Sequence, residues 1–446
     1  MSGLARAPSM LDRSPKASAA GSTLSLGPGR TPGADSKLAI ALSGERLAVT
    51  STAVAVAMLP LLVPRAGANV TPADGFIAIA LFSALISAAG SSRLRLQAPY
   101  VLPVGLMVAG GAAGALSGPV PIDGLLAVIQ DLWLLAWAIC IANVCRTPGA
   151  LKIVVRTWAY AAIAWASLLL IGELAGISYL AGTHSNLGGR TTITFGDPNI
   201  AAHYFLVSIL LIAATRCPRQ LLVRVFGILL LLVAWALTGS NGGIVALLIG
   251  IVLIAVVNIY RRSGAVPAIA AACCVAAIGS VALPAIPLAH IQQSAHDSKY
   301  RVIRDWVGHS QRTVFQREEL FHEGIGLYYA GGPLGEGPHS TIARLRDRQA
   351  VFAREAHNDY VASLNERGAL GAIGIMLLVA GVSARTWSVV RRSLSGAFAE
   401  VVPRHAVLIA AVAATFILAT VYEVLHVRHV WALFGLIAAL HYWGRE

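Results

Sequence analysis

Charged side chains are scarce in this sequence. They make up 12% of its 446 residues, about half the share usual in soluble globular domains. A shortage of that size excludes the charged surface that keeps a water-soluble core dispersed. Cysteine is sparse too, and Cys140, Cys145, Cys217, Cys273 and Cys274 all fall in or beside apolar runs. No Cys-x-x-Cys pair, disulfide framework or zinc-type spacing is visible. His322-Glu323 lacks the second histidine of a zinc protease, and no Asp-x-Asp pair offers a metal and nucleotide-sugar site. Neither a cofactor nor a structural metal is therefore expected.

Long apolar runs are what the chain has instead, since 57% of it is hydrophobic. Leu47 to Pro64 carries no charge, and Gly264 to Ala289 is longer still; a helix needs about 20 such residues to cross roughly 30 Å of hydrocarbon. Twelve candidate spans follow: 47–65, 75–91, 99–117, 122–144, 156–179, 199–215, 221–239, 242–260, 265–289, 360–382, 403–424 and 427–443. Runs of this length exceed barrel strands, so the expected fold is all-α, a polytopic membrane protein of about 12 transmembrane helices.

The formal charge of +13 suggests nucleic acid only until the cations are placed. Arg93 and Arg95, Arg146, Lys152 and Arg156, Arg216, Arg219 and Arg224, Arg261 and Arg262, and Arg385, Arg391, Arg392 and Arg404 all fall in alternate, inner connections. The short outer loops hold little beyond Arg65, Arg190 and Arg428. This asymmetry follows the positive-inside rule and predicts twelve crossings with both termini cytoplasmic, in contact with membrane lipids and not with nucleic acid. The Ser-, Gly-, Pro- and Ala-rich residues 1–40 read as a disordered cytoplasmic tail. A membrane domain of about nine helices over 45–289 and another of about three over 360–443 flank a large outer loop, 290–359.

That loop carries ten basic residues, counting Arg367 at its edge, and nine acidic ones. Seventy residues without structure are unusual in a compact chain, so it is predicted to fold against the outer membrane face. Its first half suits short amphipathic helices, and "GGPLGEGPHS" reads as a Gly/Pro turn. Counterions account for most of the cations, and a bound polyanion for the rest.

Directly after it comes "EAHNDYVASLNERGALG". This segment resembles the His-Asn-x-x-Leu and Glu-x-Gly region of the O-antigen ligase and polymerase superfamily, with Val361 where the Leu is expected. Upstream, "GRTTITFGDPNIAAHY" is similar to that family's Arg, Gly and Pro-Asn segment, "LTGSNGG" to its Ser-Arg-Gly region, and "QRTVFQREEL…GGPLGEGP" to its outer-loop Arg and Pro-Leu-Gly-x-Gly turn. The ordered set spans roughly residues 45 to 443 and most resembles the lipopolysaccharide O-antigen ligases.

The resemblance implies a metal-independent glycosyltransferase with its active site on the periplasmic or outer face. The donor it implies is a glycan on polyprenyl diphosphate. The acceptor is a sugar hydroxyl of lipid A-core in a ligase, the favoured reading, or another lipid-linked glycan in a polymerase of O-antigen, capsule or exopolysaccharide units. Polyprenyl diphosphate leaves in both.

Each residue so marked also has a purely structural reading. His357 caps or anchors the following helix, or its imidazole accepts the acceptor hydroxyl's proton or aligns it. Arg190 is a solvated arginine at a membrane edge, or a fork on the diphosphate. Arg312 and Arg317 are surface ion-pair partners of Glu318 and Glu319, or further diphosphate contacts. Asn199, Asn358 and Glu366 are expected to shape the site, Asp197 to cap a helix, and Glu366 and Arg367 to form an interface or local ion pair. Asn241 stands where the family often has Arg, which removes a permanent charge and leaves donor recognition to Arg190 and the large loop.

Other polar groups fall inside apolar runs. Asp131 and Glu173 are read as structural partners, His203 and Glu423 as lining the bundle interior, and His426 and His429 as near the last outer loop, within reach of headgroups. A transporter built from the same helices would show inverted repeats, and no repeat is visible.

Overall fold

The computed structural model describes residues 32–62, 70–90, 95–182, 190–285, 287–299 and 310–445. Helices α1 (Pro32–Ala57), α2 (Pro72–Ala89), α3 (Val101–Ser117), α4 (Pro121–Val144), α5 (Pro148–Ala175), the single turn α6 (Ser178–Ala181), α7 (Pro198–Thr215), α8 (Leu221–Leu237), α9 (Asn241–Ser263) and α10 (Ala265–Ala285) come first. Then follow α11 (Leu288–His296), α12 (Ser310–Gly331), α13 (Ser340–Asp347), α14 (Asp359–Arg391), α15 (Gly396–Val401), α16 (Leu408–Leu418) and α17 (Arg428–Trp443). The protein is thus an all-α, polytopic membrane protein. Six helices, α2, α4, α5, α7, α9 and α14, are long and apolar enough to cross a bilayer, and α3, α8, α10 and residues 405–418 are shorter apolar helices.

Local chemistry sets many of the starts. Proline opens α1, α2, α4, α5 and α7, where its missing N–H costs nothing and its fixed φ suits the first turn. Thr147 Oγ1 accepts from Ala150 N, Asp197 from Asn199 N and Ile200 N, and Ser240 from Gly243 N, meeting donors that the first turn leaves open. α1 begins at Pro32, inside the stretch read as a tail; residues 1–31 lie outside the described residues.

Helix α7 is the axis of the bundle, buried along nearly its whole length. α8 instead turns Leu222 and Phe226 outward, as α2 does Ile79 and Phe82. Such apolar exposure is what hydrocarbon, and not water, tolerates. Two ion pairs lock the interior. Arg428 Nη2 and Nε reach Asp74 Oδ2 and Oδ1 at 2.7 and 3.0 Å, with Trp133 Nε1 also on Asp74 Oδ1 at 3.0 Å. Arg367 pairs with Asp131, tying α14 to α4. Arg428 therefore belongs to the buried start of α17 and not to a solvated outer loop: its charge is balanced by Asp74. Asp131 has its structural partner in Arg367, which had been expected to pair locally.

α14 is broken at Gly368, whose φ of 63° and ψ of −159° are not helical. The turn Gly332–Pro338 enters the break. Ala369 N donates to Pro333 O at 2.8 Å, Glu336 N to Asn365 O at 3.0 Å, and Gly337 N to Glu366 O at 2.8 Å. These bonds replace the ones the kink gives up. Gly110 and Gly114 of α3 face the same place, where a Cβ would meet Arg367 O or Gly337 N and Glu366 O. The glycine turn thus has a packing reason: backbone must touch backbone. Farther out, α12 and α13 share a small core of Leu320, Leu327 and Leu345.

Candidate active site

The motif segments meet at the N-terminal end of α7. Arg190 Nε donates to Thr238 O at 2.7 Å and its Nη2 to Asn199 Oδ1 at 3.4 Å, while Ser240 Oγ donates to the same Asn199 oxygen at 2.9 Å. The Gly-Arg, Pro-Asn and Gly-Ser segments, scattered along the chain, so become one polar cluster. Asn241, exposed at the first position of α9, stands beside it.

The triplet His357-Asn358-Asp359 divides its labour. Asn358 caps α14, its Oδ1 accepting from Tyr360 N and Val361 N at 2.9 and 3.1 Å, and its Nδ2 donates to Thr420 O at 3.0 Å. Asp359 Oδ2 accepts from Val424 N and Leu425 N at 2.8 and 3.2 Å. These two side chains are committed to backbone and fasten the 419–427 loop to the start of α14. His357 is held differently. Its backbone sits at φ 49°, a left-handed conformation that costs a non-glycine residue about 1–3 kcal/mol, and its N–H donates to Glu423 Oε1 at 3.2 Å. The ring lies along Tyr422, with centroids 5.5 Å and planes 21° apart. Its Nδ1 is buried and makes no hydrogen bond among the described residues. An imidazole nitrogen left without a partner keeps the lone pair with which a proton acceptor works.

Electrostatics bind these groups together. Burial, then the Arg317 charge, hold the His357 pKa below its ordinary value, with Asp197 opposing and Arg354 assisting. The ring is thereby kept neutral near pH 7. Burial pulls the Arg317 pKa down, while Asp197 and Tyr422 counter it. Tyr422 is pushed well up by burial and by the Asp197 charge. Behind the histidine, burial and mutual repulsion with Glu355 and Glu366 raise Glu423, and Glu355 is raised by burial and by Glu366 and Asp197. The Glu423 carboxyl accepts from the His357 N–H, and burial and neighbouring carboxylates disfavour its charged form there.

The expected residues fare unevenly. His357 and Arg317 lie near Asp197 and Tyr422, Asn358 caps the helix next to His357, and Arg190 with Asn199 adjoins them through α7. Glu366 lies one step back, where its Oε1 accepts from Thr341 Oγ1 at 2.7 Å. Arg312 lies on α12, but its side chain is outside the described residues. Tyr422 went unread, because a tyrosine ending an apolar run looks like an interfacial anchor; Asp197 was read only as a cap, and it is a cap and a charge partner at once.

His429 is buried and not a headgroup contact. Its Nε2 lies 2.8 Å from His203 Nδ1, and His203 Nε2 lies 2.9 Å from Thr415 Oγ1. With Arg428 drawn in to Asp74, the start of α17 carries His429 into the core. Among the described residues no group of three His, Cys, Asp or Glu side chains could hold a metal ion.

No curated protein sequence matches the chain. Residues 226–376 match the family model described as O-antigen ligase. The match runs from α8 to the middle of α14 and so includes Ser240, Arg317, His357 and Glu366, whereas Arg190, Asp197, Asn199 and Tyr422 lie outside it. Over residues 226–376, and over those alone, the chain carries a domain of the O-antigen ligase family.

Proposed function

We propose that the protein is a glycosyltransferase that moves a glycan from polyprenyl diphosphate to a sugar hydroxyl of lipid A-core, on the outer side of the cytoplasmic membrane. The acceptor oxygen attacks the anomeric carbon, its proton passes to the His357 imidazole, and the bond to the diphosphate breaks with its electron pair on the leaving group. Arg190 and Arg317, joined by Arg312, hold that diphosphate. Permanent cations aimed at a growing negative charge lower the barrier to departure. Asn199 fixes Arg190, Asn358 fixes the loop behind His357, and Glu366 braces the kink. In this reading both termini are cytoplasmic, twelve helices cross the bilayer, and the outer loop covers the site.

The observation that carries the reading is the uncommitted His357 Nδ1 on a ring kept neutral beside an arginine. Family membership over residues 226–376 supports ligase-type chemistry in O-antigen assembly. The test gives the purified protein a polyprenyl-diphosphate glycan and either lipid A-core or a second lipid-linked glycan. Product on core supports a ligase, and chain growth without core replaces it with a polymerase. No transfer to either acceptor, from protein shown to bind both, removes the glycosyltransferase assignment.

A further inference from the structure

The end of α7 remote from Asp197 opens on a second site. For an 18-residue helix the two ends are about 27 Å apart. There a cavity of about 180 Å³ is lined by Lys152 and Arg156 from the first turns of α5, Arg216 and Arg219 from the turn after α7, and Glu400 of α15. Four cations thus face one carboxylate. Among the described residues none of these five side chains has a hydrogen bond or ion pair to another.

The turn that presents them is built, not loose. Arg224 Nη1 donates to Arg216 O at 3.0 Å and Pro218 O at 3.1 Å, so this one arginine is spent on backbone and fixes where its neighbours stand. Arg404 N donates to Ala214 O at 2.9 Å, fastening the segment after α15 to the end of α7. Arg156, Arg219 and Arg224 all act on the Cys217 thiol, drawing its pKa down against the rise caused by burial. Cations gathered in a fixed concavity repel one another unless an anion joins them. Just beyond the turn, Leu221 and Leu222 of α8 are 62% and 85% exposed, an apolar strip on which acyl chains can lie beside a headgroup held in the cavity.

We propose that this cavity binds a phosphate-bearing anion, supplied by an anionic phospholipid whose headgroup enters between α5, α7 and α15. Basic pockets between membrane helices recognise headgroups through this chemistry. The site is separate from the His357 cluster and makes no use of the transfer reaction.

Native mass spectrometry and thermal unfolding of the full chain test it with three probes: phosphatidylglycerol, zwitterionic phosphatidylcholine, and inorganic phosphate. Phosphatidylglycerol is expected to be retained and to stabilise the protein, and phosphatidylcholine is not. The double variant Lys152→Gln, Arg156→Gln should weaken retention by about tenfold or more, Glu400→Gln should strengthen it, and Arg261→Gln, Arg262→Gln, at the end of α9, should leave it unchanged. Arg219→Gln, on an exposed side chain, provides a weaker effect of the same sign should the double variant fail to insert. Saturable binding of inorganic phosphate without lipid preference would keep the anion site and overturn the lipid as its source. Equal retention by the wild type, the cavity variants and the α9 control, with no effect of phosphate, would overturn the proposal.

Discussion

The imidazole of His357 lies along the phenol of Tyr422, ring centroids 5.5 Å apart, and the same phenol has its pKa raised by burial and by the charge of the Asp197 carboxylate. The tyrosine therefore couples the start of α14 to the start of α7. His357→Ala should lower transfer by about 10²–10⁴-fold, the usual worth of a general base, while the protein still inserts. Tyr422→Phe keeps the ring contact and should cost far less than Tyr422→Ala. Steady-state transfer rates on folded, monodisperse protein decide this, and near-normal turnover by His357→Ala would remove its assigned role.

The pH profile reads the charges around the ring. His357 must be neutral to accept a proton, so activity falls as pH drops through its pKa, which burial and Arg317 hold below the ordinary value. Arg317→Gln removes a positive neighbour, lets the pKa rise, and should move the acid limb to higher pH. Asp197→Asn removes a negative neighbour and should move it to lower pH. Opposite displacements are expected in the pH dependence of kcat/KM; a shared direction would place neither group beside the ring.

Donor recognition is testable at Arg190. Its Nη2 meets Asn199 while its Nε meets Thr238 O, a geometry the single ammonium of lysine cannot copy. Arg190→Lys should therefore depress kcat/KM for the polyprenyl-diphosphate donor by an order of magnitude or more, at about the free energy of one charge-assisted hydrogen bond. Asn199→Ala should do so less, and neither should shift the acid limb. Unchanged donor kinetics in Arg190→Lys would argue for a merely structural arginine.

Backbone packing at the kink makes a stability prediction. Gly335 has φ 74°, and a Cβ there would meet Gly368 N and the Arg367 backbone. Gly335→Ala should cost at least the roughly 1–3 kcal/mol of a strained left-handed residue. Gly149→Ala has open space around it and should be close to neutral. Thermal unfolding in one detergent compares the two.

Removing one partner from a buried ion pair leaves a charge uncompensated, at a cost of about 3–5 kcal/mol. Asp131→Leu and Arg367→Met should each destabilise the protein on that scale, because the pair joins α4 to α14. The double variant should be more stable than either single one. A double-mutant cycle on unfolding free energy measures this, and strictly additive losses would mean the two side chains are independent.

Much of the architecture was open to reading from local properties. Hydropathy marks where helices run, Pro-Asn after Asp197 marks the start of α7, and Asn358 marks the start of α14, because capping and desolvation act over a few neighbouring residues. Arg190, Asn199 and Ser240 could be singled out by resemblance, although nothing local said that Asn199 would accept from both others. The kink at Gly368 was unreadable for a related reason. It exists because Gly332–Pro338 folds back to supply the missing hydrogen bonds, and that partner is distant in sequence.

The amino-acid sequence alone determines a helical chain for lipid, since uncharged runs of this length have no other way to satisfy their backbone, and its resemblance to the O-antigen ligase family is what singles out His357. The packing of distant helices decided the rest. It drew Arg428 and His429 inward to Asp74 and His203, set Tyr422 between His357 and Asp197, and left Lys152, Arg156, Arg216 and Arg219 around an open cavity. Those outcomes depend on which helix ends meet, and in a buried, low-dielectric place a charge takes its character from whatever group the fold brings within reach.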